Sequence, residues 1–436
     1  MSTSVAVRPP LRRAVGRVVG TSAATPDRLL RVEAILVVAA LVLGVLGVLG
    51  GMARANAVHD ARTRIAALTT GAADLYQSLA DADAMATTGY VSGGLEPAAV
   101  RARYDDDIQR AGQGLAAAAS LLPVGDPAIG AISTVGEQLP VYTGLVENAR
   151  SLNRLGLPLG QSYLAGASKL MQATILPAVE QVRSAESAAL ADTYRQGSAI
   201  PFAVLAVGLA VFIALADLAL REWRRTNRVL NLGLMVAGLA VLVLVGWWAV
   251  AALTADTRIG GAQAHSDAGA ALDDARIAVL SARSNESLVL VARNSGGGSS
   301  DQAFTAQLAR VVDDGGLLAT AERADPELAD RIGALRSAAT AWGDAHRGVR
   351  RLDDGGQYPQ AVASVVGQGP GTSGGTFDAL DVALAKTTGE ERAAFAVDVE
   401  AAEGALVALP WISAALALVA AGAVIVGIAR RVGEYR

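Results

Sequence analysis

The sequence predicts an all-α membrane protein in which four transmembrane helices carry two tandem extracytoplasmic up-down four-helix bundles. Three observations carry this. The 436 residues are 52% hydrophobic, with mean hydropathy +0.37, too apolar for an ordinary soluble enzyme. Four apolar runs reach the roughly 20 residues that a helix needs to cross a bilayer: Ala34–Met52, Ala199–Leu220, Val229–Leu253 and Leu406–Ala429. Between them, apolar residues recur at spacings of three and four, and no stretch alternates as a strand would.

Basic residues orient the spans. The arm 1–33, the loop 221–228 and the tail 430–436 hold Arg8, Arg12, Arg13, Arg17, Arg28, Arg31, four Arg in REWRRTNR, and Arg430, Arg431 and Arg436. A bias of this kind places both termini and the loop in the cytoplasm of a multi-pass plasma-membrane protein. Segments 53–198 and 254–405 are then extracytoplasmic and net acidic. Ala55-Asn56-Ala57 has the form of a signal-peptidase site, but the long apolar run and its Arg-rich leader are read as an uncleaved anchor. Without cysteine the chain has no disulfides, no thiol chemistry and no Cys-based zinc site. No basic, aromatic-laced surface points to nucleic acid.

Each exported segment repeats one plan. Aligning Ser92-Gly93-Gly94 with Ser295-Gly296-Gly297 pairs SLADADAMATTGYVSGG with LSARSNESLVLVARNSGG, and YTGLVENARSL (142–152) pairs with WGDAHRGVRRL (342–352). In the first segment four stripes mark four helices. They are Ile65, Leu68, Ala72, Leu75, Leu79, Ala82, Ala86 and Gly89; Val100, Tyr104, Ile108, Ala111, Leu115 and Leu122; Ile132, Val135, Leu139, Tyr142, Val146 and Ala149; and Leu164, Ala167, Met171, Ala178, Val182 and Ala189. Breakers at 92–97, 122–127 and 155–160 separate them. Pro97 and Pro127 suit first helical turns, and Pro177 is expected to loosen the fourth helix. The second segment breaks at 294–301, 323–326 and 354–375. In the spans, Gly47 and Gly51 form a small-xxx-small pair, read either as a helix contact or as ordinary span glycine.

Candidate chemistry is sparse. Asp105, Asp106 and Asp107 diverge by 100° each on a helix, so they are expected to coat a solvated face, partly paired with Arg101 or Arg103, and not to hold a metal. His59, His265 and His346 have no Ser/Asp constellation nearby, and no HExxH, GxSxG, P-loop or kinase signature occurs. The chain is therefore expected to be no enzyme, with no catalytic residues, metal or cofactor. A ligand site between helices would draw on Arg62, Arg101, Arg103, Arg150 and Arg283 with Asn285, since Arg grips carboxylates in a fork; a charged outer face is the competing reading. Partner docking would use the bundle tips: Gly93, Gly94, Leu95 and Glu96 beside Leu157 and Leu159, and Tyr358, Val365 and Val366 in the long 354–375 loop. The short cytoplasmic pieces contain no output domain, so a relay would run through Arg221, Trp223, Arg224 and Arg225, unless these residues only contact anionic lipid.

The span order together with SLADADAMATTGYVSGGLEPAAVRARYDDDIQRA (78–111) resembles the actinobacterial GlnX-type membrane proteins. The resemblance implies a tandem-bundle sensor working with the GlnH solute-binding lipoprotein, which captures aspartate or glutamate. It further implies a relay to the cytoplasmic Ser/Thr kinase PknG, which controls glutamate and nitrogen metabolism. No binding residue is carried over. Two alternatives stand beside it: a sensor that binds a small molecule inside a bundle, and a membrane scaffold that does not switch.

Overall fold

The computed structural model describes residues 25–60, 63, 66–94, 96–122, 124–185, 202–226, 231–292 and 297–433, and no strand occurs among them. The helices are α1 (Thr25–Asp60), α2 (Ala66–Val91), α3 (Ala98–Leu121), α4 (Ala128–Arg154) and α5 (Leu159–Leu170). A π turn, Met171–Ile175, leads into α6 over 176–185. Then come α7 (Phe202–Thr226), α8 (Leu232–Ala292), α9 (Gly297–Val312), α10 (Leu317–Ala324), a 3-10 turn (Pro326–Leu328), α11 (Ala329–Asp354), α12 (Tyr358–Val366), α13 (Ser373–Val407) and α14 (Leu409–Gly433). Among the described residues four stretches are long and apolar enough to cross a membrane, lying in α1, α7, α8 and α13–α14.

The chain forms two compact units. One takes in 1–55, 199–254 and 404–436; the larger takes in 56–198 and 255–403. In the first unit α1 approaches α14 through small residues. A Cβ added at Gly44 would lie 2.4 Å from the Ala417 Cβ, and one at Gly47 2.7 Å from the Ser413 Cβ. One at Gly51 would meet the Pro410 ring at 3.1 Å. Of the two readings of Gly47 and Gly51, the structure selects the helix contact, because a side chain at either position has no room. Ser413 also accepts a 2.9 Å hydrogen bond from Trp248 Nε1 of α8.

In the larger unit, the first segment follows its stripes closely. Leu68, Ala72, Leu75, Leu79, Ala82 and Ala86 are buried on α2, and Ile132, Val135, Leu139, Tyr142, Val146 and Ala149 on α4. Ile65 and Ala189 lie outside the described residues. Pro97 and Pro127 stand one position earlier than expected, at the N-caps of α3 and α4. Pro177 follows the π turn, whose closing bond runs from Leu176 N–H to Met171 O. Proline has no N–H to give the ladder, and the wider turn accommodates the gap.

The second segment differs from its expected plan in two places. Asp313-Asp314-Gly315-Gly316 makes a turn that separates α9 from α10 and belongs to no expected breaker. Residues 354–375, expected as one long exposed loop, contain α12. Pro359 lies in its first turn, and Ala361 and Val365 are fully buried. The signal was the spacing of Val362, Val365 and Val366, which is helical and outweighs the glycines around it.

The repeat itself is written in the backbone. At the end of α4, Leu155, Gly156 and Leu157 N–H donate to Ser151, Asn153 and Leu152 O; at the end of α11, Gly355, Gly356 and Gln357 donate to Arg351, Asp353 and Leu352 O. Gly156 and Gly356 take φ of +68° and +74°, a conformation such helix ends reserve for glycine. The two segments, expected as tandem bundles, contribute to one hydrophobic core that holds Leu79, Tyr142 and Met171 with Leu272, Trp342 and Phe377.

Candidate functional site

Helix α2 presents Asp83 to the interior, where its residue is 3% exposed. Four side chains donate to it. Ser168 Oγ reaches both oxygens at 2.7 and 2.9 Å, Ser284 Oγ reaches Oδ2 at 2.9 Å, and Tyr142 Oη and Gln172 Nε2 stand at 3.4 and 3.5 Å. All are neutral, and among the described residues no Lys, Arg or His pairs with Asp83. Burial pushes its carboxyl above the usual range, and the four hydrogen bonds only partly oppose this. Beside it lies a cavity of about 240 Å³ lined by Ala80, Asp83, Gln172, Ser284, Gln307 and Arg310 among others. The π turn that carries Gln172 faces this cavity.

The second segment builds a comparable centre with opposite electrostatics. Glu286 of α8 is fully buried and takes hydrogen bonds from Arg283 Nη1 at 2.5 Å, His346 Nδ1 at 3.1 Å and Ser373 Oγ. His346 Nε2 meets Asp301 at 3.0 Å, and the His346 ring stacks on Phe304 with centroids 3.7 Å apart. Burial alone would raise Glu286, but the His346 hydrogen bond and the Arg283 charge hold it below the usual range. Burial would lower His346, yet Glu286 and Asp301 raise it. So His346 does stand in a Ser/Glu/Asp constellation, assembled by four helices and invisible to local sequence. His265 Nδ1 lies 2.9 Å from Glu391 and 3.4 Å from Asp325, and His59 Nδ1 lies 2.9 Å from Glu403. The expectation that no Ser/Asp constellation stands near the histidines is therefore corrected for His346.

A third cluster joins the segments by charge. Arg103 of α3 binds Asp81 at 2.8 Å, Asp378 at 3.1 Å and Asp381 at 2.8 Å. Arg276 donates to Asp381 and Gln77, Gln77 to Asp273, and Arg392 to Asp273 and Asp74. Asp107, expected on a solvated face, is instead buried: it shares the stripe of Tyr104 and Ala111, three residues on and four residues back. Asp105 and Asp106 are exposed, and Asp105 pairs with Arg101 as expected. Burial and the neighbouring Asp81 push Asp107 up to about 8. Asp81 Oδ1 and Asp107 Oδ2 are both buried without a hydrogen-bond partner.

The arginines proposed to grip a ligand are already engaged. Arg101 binds Asp105 and Glu147, and Arg150 binds Glu96 and Glu147 while covering the Tyr104 ring at 4.1 Å. Arg103 holds its three aspartates, and Arg283 holds Glu286 and the Val365 carbonyl. Asn285 Nδ2 is spent on the Ser281 carbonyl at 2.8 Å. Arg62 lies outside the described residues. Each described arginine of this set is thus held by groups of the chain itself, while Arg150 Nε and Arg283 Nε are buried without a hydrogen-bond partner. Asp83 is one of several buried polar centres, beside those of Glu286 and Asp107, and sequence reasoning missed it.

The expected docking residues divide. Leu157 and Leu159, at the turn into α5, are exposed, as is the neighbouring Leu155, and Asn153 ties this turn to the Tyr90 carbonyl at 2.8 Å and the Gly93 carbonyl at 3.4 Å. Gly94 is exposed, Gly93 is half-buried at φ +80°, and Glu96 is held by Arg150. Leu95 lies outside the described residues. Val365 is buried with Val91, Leu290, Val349 and Ala361, while Tyr358 packs partly buried against that group and Val366 is half-buried. Exposure was thus wrongly expected of Val365. At the end of α7, Arg221 pairs with Asp217, Trp223 and Arg224 are exposed, and the Arg225 side chain is outside the described set.

For a metal, His265, Asp325 and Glu391 offer ligand atoms within 4.8 Å of one another. Their geometry is equally that of a hydrogen-bonded group. Asp325 Oδ1 caps the 3-10 turn through Glu327 N–H, and Arg331 stands 4.0 Å from Glu391.

No curated protein and no solved structure matches the chain. Residues 57–195, which make up the first segment of the larger unit, match the family model described as actinobacterial sensor domain, and this similarity supports an actinobacterial sensor protein.

Proposed function

We propose that the chain is a transmembrane signal transducer that reads external aspartate or glutamate through a GlnH-like solute-binding lipoprotein. In this reading it enzymatically modifies nothing and relays the state of that lipoprotein to a PknG-like cytoplasmic Ser/Thr kinase controlling nitrogen and glutamate metabolism. Each large segment is a four-helix bundle descended from one ancestor, so a single chain acts as a covalent pseudo-dimer with both termini and residues 221–228 in the cytoplasm. The observation that carries the reading is the sensor-domain match at 57–195 in a chain with four helices fit to span a membrane. The exposed Leu155, Leu157 and Leu159 add an apolar turn suited to a partner.

The test uses the full chain in lipid nanodiscs and the purified lipoprotein. Glutamate-loaded lipoprotein should bind more tightly than empty lipoprotein, and Leu157→Asp with Leu159→Asp should weaken binding at least tenfold. Equal binding with and without glutamate would favour a scaffold, and no binding in either state would remove the lipoprotein from the scheme. The second reading, direct sensing, is favoured by one observation: the neutral-donor cage around a fully buried Asp83 beside a cavity.

A further inference from the structure

The two segments bury one carboxylate each at corresponding places. The sequence pairing that aligns Ser92-Gly93-Gly94 with Ser295-Gly296-Gly297 sets Asp83 against Glu286 and Ala80 against Arg283; the pairing of Tyr142 with Trp342 sets Val146 against His346. The contacts agree with the pairing. Each acid faces the third helix of its own segment, through Tyr142 or His346, and each takes a serine hydroxyl from the fourth, Ser168 or Ser373. Glu286 is neutralised by Arg283 and His346. Asp83 has Ala80 and Val146 where those two cations would stand.

A buried carboxylate that keeps its hydrogen-bond donors but loses its cations is costly to leave charged. Truncation of the arginine position to Ala80 has a second consequence, which is space: Ala80 lines the cavity beside Asp83. The cavity's inner wall offers acceptors. Besides Asp83, the Gln307 Oε1 atom is buried without a hydrogen-bond partner. Its rim reaches solvent at Gln172 and Arg310, both exposed. At about 240 Å³ it is smaller than the roughly 300–1,000 Å³ of drug-sized pockets, so a compact solute fits it.

We propose that the cavity beside Asp83 binds the ammonium group of a small solute, which occupies the place that Arg283 fills beside Glu286. This goes beyond the transducer reading, because the ligand is held by the chain itself and not by a lipoprotein. The ammonium donates to Asp83 Oδ2 and Gln307 Oε1. Arg310 at the rim gives a carboxylate on the same solute a partner, so both simple amines and amino acids carry the required chemistry. Ser284 comes from the second segment and Ser168 and Gln172 from the first, so an occupied site bridges the two.

The experiment is thermal unfolding of the full-length protein in detergent, titrated separately with methylammonium, L-alanine and propionate. A saturable rise in Tm with methylammonium or L-alanine, and none with propionate, is the expected result. A larger rise with L-alanine that Arg310→Gln removes would assign the amino-acid form; equal rises would assign the simple amine. Asp83→Asn, which keeps an acceptor for Ser168 and Ser284, should abolish the rise. Ala80→Arg supplies the missing cation internally and should raise the ligand-free Tm while removing the response. The proposal is overturned if neither ammonium probe shifts Tm, if propionate shifts it equally, or if the shift survives in Asp83→Asn. The readout contains no lipoprotein, so failure here leaves the transducer scheme standing, and the reverse also holds.

Discussion

Asp83 and Glu286 are buried carboxylates at matching positions of α2 and α8, and only Glu286 has cations beside it. The contrast predicts different mutational costs. Arg283→Ala leaves Glu286 charged inside the core with one cation, and a broken buried pair of this kind costs about 3–5 kcal/mol. Asp83→Asn removes a charge that no cation balances and keeps the hydroxyl bonds, so its cost stays within about 1 kcal/mol. Chemical denaturation of the full chain at neutral pH measures both.

The contact between Glu286 and His346 fixes a pH response. His346 is raised above its ordinary value, so the stability it contributes is complete below about 6.5 and is lost as pH rises through the raised value. Glu286 is lowered, so its contribution is present above the ordinary carboxylate range and is lost as pH falls through the lowered value. His346→Ala should therefore destabilise most near pH 6 and progressively less in alkaline buffer. A penalty that is flat between pH 6 and 10 would contradict this.

Asp107 has the sign opposite to Glu286 and the same as His346. Its carboxyl, facing Asp81 with Arg110 and Arg103 nearby, is raised to about 8, so the folded protein keeps a proton that the unfolded chain releases near pH 4. Stability should fall as pH rises from about 4 to 8 and then level off. Asp107→Asn removes that slope, and above pH 8 it should exceed the wild type by about 1–3 kcal/mol, the range for an unsatisfied buried polar group. Tm measured across pH 5 to 9 for both proteins reads the difference directly.

What the sequence made legible follows from periodicity. Stripes such as Ile132 to Ala149 place α4 and its buried face correctly because each residue is apolar and its spacing admits one helical phase. Asp107 was misplaced by attention to its type, since its spacing from Tyr104 already set it inward. Val365 was misplaced by the glycines around it. The Asp83 and Glu286 centres were out of reach for another reason. The donors to Asp83 lie 59 to 201 residues from it, and no local pattern encodes which helices meet. The common core of the two segments is likewise a tertiary fact, since each stripe is equally compatible with a private partner.

Arginine position decides energetic weight more than arginine number does. Arg101 is 40% exposed on its side chain and binds Asp105 and Glu147 at the surface; such pairs contribute about 0–1 kcal/mol. Arg103 joins Asp81 and Asp381, each with a side chain 6% exposed, across the two segments. Arg103→Ala should cost about 3–5 kcal/mol by stranding those carboxylates, against less than about 1 kcal/mol for Arg101→Ala. Raising salt should erase the small effect and leave the large one.

In the smaller unit, α1 and α14 meet where neither helix has bulk to spare. The Ala417 Cβ that a side chain at Gly44 would strike is the stem of its residue and has no rotamer into which to retreat. Gly44→Leu and Gly47→Leu should therefore each destabilise by about 1–3 kcal/mol, the usual cost of overpacking. Gly238 of α8 has open space around it, and Gly238→Leu should leave stability unchanged. Ser413→Ala tests a different force at the same place. It deletes the acceptor for Trp248, and hydrogen bonds between spanning helices average about 0.6 kcal/mol. Thermal unfolding in detergent should rank Gly44→Leu well above Ser413→Ala, because the contact is set by the closeness of two backbones and the hydrogen bond only follows from it. The reverse ranking would mean that the bond holds the helices and the glycines merely permit it.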